Sequence, residues 1–148
     1  MSAANEDEAR LRALEDRYAK AVNAKDLDAI MQVYAPDGED LHVFDLVPPR
    51  QYVGTTAYRK LWQEFIATFP GTLKFEISDL KVRADRTLGY GHKVQRIVGV
   101  DNTGQAVDIT LRVTEVYRKF GDDWRIVHEH VSVPVDLNSG KPDLSSNL

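Results

Sequence analysis

The chain has no cysteine among its 148 residues. That excludes a disulfide framework, a zinc–thiolate site and a cysteine nucleophile, and it leaves the redox compartment unreadable. No apolar run approaches the roughly 20 residues that span a bilayer, so no membrane partner is expected. Met1 to Arg10 is polar and acidic, without the apolar core of a secretory signal, and a cytoplasmic location is the expectation. Positive charge is short: 19 Lys and Arg against 23 Asp and Glu give a net charge of −4. A negative chain disfavours nucleic acid and anionic lipid, so no nucleic-acid partner is expected. No repeat, low-complexity tract or internal linker divides the sequence. The remainder, 43% apolar and 28% charged, is the composition of an ordinary globular domain. One domain over residues 1–135 is expected, with a polar, loosely held extension over 136–148.

Two periods are present. Over residues 6–24, Leu11, Leu14, Tyr18, Ala21 and Val22 recur at spacings of three and four, which predicts a helix with one apolar stripe. Tyr18 lies in that stripe, so its hydroxyl needs a buried partner. Asp26 is placed to cap a second helix, Leu27 to Ala35, stopped by Pro36. A short strand, Leu41 to Val47, runs into Pro48-Pro49. Gly54-Thr55 opens a third helix with Tyr58, Leu61, Trp62, Phe65, Ile66 and Phe69 in its stripe, and Pro70-Gly71 ends it. From Thr72 the period is two. Strands are predicted over Leu73–Arg83, Leu88–Val100 and Val107–Lys119, with a fourth running from Trp124 to Pro134. The apolar phase of the first shifts from Phe75 and Ile77 to Leu80 and Val82, which predicts a bulge near Ser78-Asp79. Three helices followed by a long antiparallel meander make an α+β domain with the helices on one sheet face.

Four positions break the apolar pattern in ways that carry chemistry. Glu115 shares a face with Val107, Ile109, Leu111, Val113 and Tyr117. It is either a rim residue, paired with Arg96 or Arg125, or buried with a raised pKa, where a neutral acid can donate a hydrogen bond. Asp45 sits between valines although Asp is a poor strand former. It is either a turn partner for the Pro48-Pro49 loop or a general base beside a cavity. Alternation from Trp124 puts Ile126, His128, His130 and Ser132 on one face. The two histidines are pocket acids or donors, structural groups, or metal ligands; the last needs a third ligand from His42 or His92, and no metal is expected. Tyr58 and Trp62, His130, and Val94 and Arg96 on the second long strand are the expected ligand contacts.

Arg17-Tyr18, the run Val22-Asn23-Ala24-Lys25-Asp26-Leu27-Asp28-Ala29-Ile30, the Asp45-to-Gly54 loop and the Trp124-to-Pro134 strand carry a resemblance. The chain resembles the nuclear-transport-factor-2-like superfamily, in its ketosteroid isomerase and SnoaL-like branch. The resemblance implies a cone-shaped fold, three N-terminal helices on a curved, mainly antiparallel sheet. It places Tyr18 on the isomerase's oxyanion-hole tyrosine, Asp45 on its catalytic base and Glu115 near its second oxyanion donor, a protonated aspartate. It implies a small apolar or carbonyl-bearing ligand and a cofactor-free isomerase, dehydratase or cyclase. In that reading Asp45 removes a proton, and Tyr18 with Glu115 or His128 stabilises the oxyanion. The alternatives are a non-catalytic binding module and an oligomerisation module on the same fold. A homodimer is expected. His128 and His130 imply a more polar ligand than a steroid.

Overall fold

The computed structural model describes residues 2–145. Helix α1 (Ala3–Ala24) starts at Ser2, whose hydroxyl accepts from the Asn5 amide at 3.3 Å. It ends where Lys25 turns left-handed, with φ of 54°. Its stripe buries Leu11, Leu14, Tyr18, Ala21 and Val22, as the spacing predicts, and Glu15 beside them. Asp26 caps α2 (Leu27–Met31), accepting from the Ala29 amide at 3.1 Å. The helix stops four residues before the predicted Ala35. Tertiary pairing overrides local propensity there. The Ala35 amide donates to the Ile126 carbonyl and the Ile126 amide to the Val33 carbonyl, both at 2.8 Å.

Strands β1 (His42–Phe44) and β2 (Tyr52–Val53) flank the Pro48-Pro49 loop, and α3 spans Thr55–Thr68. Then come β3 (Leu73–Asp85), β4 (Leu88–Val100), β5 (Ala106–Phe120) and β6 (Asp123–Ser132). They form one six-stranded sheet in the order β2-β1-β6-β5-β4-β3. Every pairing is antiparallel except β1 with β6. β1 is shorter than predicted because Asp45 folds back, its Oδ1 accepting from the Leu46 amide at 2.6 Å.

Two bulges bend the sheet. One lies between Ser78 and Lys81, where the phase shift predicts it, and Asp79 there has φ of 51°. The other was not predicted. β6 slips against β5 between Val116 and Tyr117, leaving Val127 as the extra residue between Ile126 and His128. An extra residue reverses every side chain beyond it. Trp124 and Ile126 therefore point inward, and so do Glu129 and Val131, while His130 is exposed. The expected run of Trp124, Ile126, His128, His130 and Ser132 along one face is broken at its middle.

The helices cover the inner face. β4 presents Gly89, Gly91, Lys93, Gln95 and Ile97 to it, and β5 presents Leu111, Val113, Glu115 and Tyr117. Part of the polar extension lies against the sheet. The Asp143 amide donates to the Pro134 carbonyl, and the Thr110 amide on β5 to the Leu144 carbonyl, both at 2.8 Å. That covers part of β5 beyond the end of β6, where an open edge would otherwise be left.

The glycines of β4 are where α1 and β5 come closest. A Cβ on Gly89 would lie 2.8 Å from the Arg83 carbonyl oxygen and 3.1 Å from Leu11 Cδ1. A backbone oxygen cannot swing aside, so the strands must part. Gly89→Ala should lower stability by about 1–3 kcal/mol, read as a lower urea midpoint at unchanged slope. An unchanged midpoint would contradict the packing described.

Candidate functional site

Between α1, α3 and the inner sheet face lies a cavity of about 170 Å³. Leu61, Phe65, Phe75, Ile97, Leu111 and Val131 supply most of its wall. Its polar groups are Tyr18, Asp45, Tyr58, Trp62, Gln95 and Glu129. Asp45 is half-buried; Tyr18, Tyr58, Trp62, Gln95 and Glu129 are buried. Among the described residues no Lys, Arg or His lines it.

Four buried groups and the half-buried Asp45 form one chain of hydrogen bonds. The Tyr18 and Tyr34 hydroxyls are 3.0 Å apart. The Tyr34 hydroxyl lies 3.3 Å and 3.1 Å from the two Glu129 oxygens. The Tyr58 hydroxyl lies 2.7 Å from Glu129 Oε2 and 2.9 Å from Asp45 Oδ2. A phenol has one proton to donate. Tyr58 cannot donate along both of its contacts, so one carboxyl must donate to it. Glu129 is the better holder of that proton. Burial pushes its carboxyl above the usual range, and Lys93 only partly pulls it back. One pattern then satisfies every group. Tyr18 and Tyr34 share one hydrogen bond, Tyr34 meets Glu129, Glu129 donates to Tyr58, and Tyr58 donates to Asp45. Burial, reinforced by Glu129, holds all three phenols well above their ordinary range, so each is a neutral donor.

A second buried cluster adjoins the first. Lys93 pairs with Glu15 and, at 2.6 Å, with Glu115. The Tyr117 hydroxyl donates to Glu15 at 2.5 Å. The Lys93 ammonium lies 4.4 Å over the Tyr18 ring and so joins the clusters. Burial alone would lower the Lys93 pKa, but Glu115 and Glu15 outweigh it and hold the ammonium charged. One ammonium cannot neutralise several buried carboxylates. Burial, then the Glu115 charge, pushes Glu15 up to about 8. Burial raises Glu115 too, against the pull of Lys93.

Of the expected site residues, the structure brings Asp45, Tyr18, Tyr58 and Trp62 to one cavity. Glu115 is buried, 1% exposed, but stands behind that wall, paired with Lys93 and not with Arg96 or Arg125. His128 and His130 are turned out by the Val127 bulge. His128 Nδ1 lies 2.9 Å from the His42 carbonyl, and both imidazoles meet the Phe44 ring edge-on. The pocket is accordingly less polar than the histidines implied. Val94 and Arg96 also face outward, and Arg96 makes a two-pronged pair with Asp108 at 2.9 Å and 2.8 Å. The alternation of β4 is as read, but the opposite face is the inner one. Glycines at 89, 91 and 99 make that face look like the solvent side, when they clear space for Leu11, Tyr117 and Phe69. Sequence reasoning missed Glu129, Gln95, Lys93 and Glu15. Glu15 had a signal: it sits next to Leu14 and three before Tyr18, inside the apolar stripe.

Comparison with known proteins fits this geometry. The family model for a SnoaL-like domain matches residues 11–136. A nuclear-transport-factor-2-like protein of unknown function from Pseudomonas putida is 28% identical, with a TM-score of 0.86. That match covers 98% of this chain and 99% of the other. A candidate dehydratase of the same superfamily from Streptomyces avermitilis is 15% identical, with a TM-score of 0.75 over 86% of this chain and 96% of that one. A ketosteroid isomerase-like protein from Erwinia carotovora atroseptica is 18% identical, with a TM-score of 0.72 over 86% and 96%. The last two show the fold alone. No curated protein matches. Among the described residues no helix is long and apolar enough to cross a membrane.

The buried carboxyls predict a pH dependence. Glu15 titrates near 4.5 when unfolded and near 8 when folded. Between those values the folded state binds more protons, so stability falls as pH rises and levels off above about 8. Unfolding free energies from urea titrations at pH 5 and pH 8 should differ by on the order of a few kcal/mol, and Glu15→Gln should shrink the difference. Stability that rises across this window would contradict the cluster's charge state.

Proposed function

The chain belongs to the SnoaL-like domain family, and from that premise we propose a cofactor-free acid–base enzyme acting next to a carbonyl group. Asp45 is its base. The observation that carries this reading is the Asp45–Tyr58–Glu129 relay on the wall of an apolar cavity. Asp45 is half-buried, held at Oδ1 by the Leu46 amide and at Oδ2 by Tyr58. A fixed carboxylate beside an apolar hollow is placed for proton abstraction. Asp45 would take a proton from the carbon next to the carbonyl, and the C–H electron pair would move into the carbonyl oxygen as an enolate. Returning that proton to a more distant carbon gives isomerisation. Handing it to a departing β-hydroxyl gives water and dehydration. The names of the Streptomyces and Erwinia proteins fit these two outcomes.

The proton Asp45 takes leaves with the product in either outcome, which restores its charge, while a protonated Glu129 keeps the Tyr58 hydroxyl donating to the Asp45 carboxylate. Tyr18 and Tyr34 hold Glu129 in that role. The outer sheet face carries Leu88 and Tyr90, each 55% exposed, and Val100, 53% exposed. The apolar pair Leu88 and Tyr90 at one end of β4 suits a homodimer contact, as the resemblance implies.

Two measurements check this reading. The first is solvent deuterium exchange at the carbon next to the carbonyl of single-ring β,γ-unsaturated ketones, followed by NMR. The wild type should accelerate it, and Asp45→Asn should slow it by about 10²–10⁴-fold with the fold retained. Equal exchange by both proteins would remove Asp45 from the chemistry. The second is sedimentation velocity, which should give a dimer for the wild type and a monomer for Tyr90→Glu. A monomeric wild type would rule out the outer-face interface.

A further inference from the structure

The cavity is lined by two donors that none of the described residues uses. Trp62 is 7% exposed and Gln95 is 4% exposed, and both line the cavity. Neither Trp62 Nε1 nor Gln95 Nε2 has a hydrogen-bond partner among the described residues. They come from unrelated elements, α3 and β4. A buried donor left unsatisfied costs about 1–3 kcal/mol, so two at one cavity point to an acceptor that is not part of the protein. Tyr18, the expected oxyanion donor, is already in hydrogen-bond contact with Tyr34.

We infer that the cavity binds an uncharged, single-ring molecule whose carbonyl oxygen accepts from the Trp62 indole N–H and the Gln95 carboxamide N–H. Size, charge and chemistry each narrow the ligand. A cavity of about 150 Å³ takes one benzene ring, so 170 Å³ admits a ring with a short substituent and not four fused rings. The aromatic side chains of Tyr18, Tyr58, Trp62, Phe65 and Phe75 suit a flat ring. Asp45 is on the same wall and no cation faces the hollow, so a carboxylate ligand would meet repulsion. This deepens the proposed acid–base reading and rests on it for the carbonyl. Trp62 and Gln95 then stabilise the enolate oxygen while Asp45 holds the proton.

The test is binding, read without turnover. The chain has two tryptophans, and Trp124 Nε1 already donates to Asp7 at 3.0 Å. A ¹H–¹⁵N spectrum therefore separates a free indole from an engaged one. Titration with acetophenone should move the Trp62 indole signal and leave that of Trp124 in place. α-Methylstyrene has the same shape with a methylene for the oxygen, and it should bind about tenfold more weakly. Gln95→Leu should weaken acetophenone about tenfold and leave α-methylstyrene unchanged; Trp62→Phe should do the same if it folds. Equal binding of the two probes, an unmoved Trp62 signal, or undiminished acetophenone binding by Gln95→Leu would each overturn the inference. The two readings fail separately. If Asp45→Asn and wild type both bind acetophenone through Trp62 but neither supports exchange, the donor pair stands and the catalytic reading falls. If exchange depends on Asp45 while acetophenone leaves Trp62 unmoved, the reverse holds.

Discussion

One extra residue, Val127, sets the interior. The bulge it makes in β6 turns Glu129 inward directly opposite Glu115 on β5. Without it, His128 and His130 would face the helices and Glu129 would face solvent. Tyr34 and Tyr58 both contact Glu129 and neither contacts a histidine. Tyr34 and Tyr58 would keep Tyr18 and Asp45 as partners but lose the carboxyl that links them into one chain. The bulge also places Tyr34 beside Ile126, whose carbonyl and amide hold the chain after α2. A single backbone irregularity thus fixes both the end of a helix and the acid that backs Asp45.

The two buried clusters have different jobs. Lys93 with Glu15, Glu115 and Tyr117 is a closed set that does not reach the cavity wall. A buried ion pair adds little net stability, but removing one member strands the others. This set therefore fixes how α1 sits on the sheet more than how tightly. The chain from Tyr18 to Asp45 is open at one end, where the Asp45 carboxylate meets the hollow. The Tyr18 ring under the Lys93 ammonium is the seam between them. An apolar hollow with one carboxylate and two idle N–H donors is the arrangement on which the proposed acid–base chemistry rests.

Much of this was legible in the sequence, for physical reasons that differ by element. The stripes of α1 and α3 are long and regular, so period alone found them. The Ser78-Asp79 bulge showed itself because apolar residues switch phase across it. The Val127 bulge did not, because Ile126 and Val127 are both apolar and the histidines on either side of Glu129 are as polar as the glutamate. β4 was read with the right alternation and the wrong inner face, since its inner side carries glycines and a lysine. Asp45 stands out as a misfit in a strand and Tyr18 as a hydroxyl inside the α1 stripe, resemblance points to both, and both line the cavity. Gln95 and Glu129 give no such signal, because only the strand register brings them to the cavity.

Glu129 carrying a proton at neutral pH is the claim on which the relay depends. Infrared difference spectroscopy of the wild type against Glu129→Gln reads it directly. The carbonyl band of a protonated carboxyl should be present in the wild type and missing from the variant. A difference spectrum containing only carboxylate bands would show Glu129 ionised and contradict it.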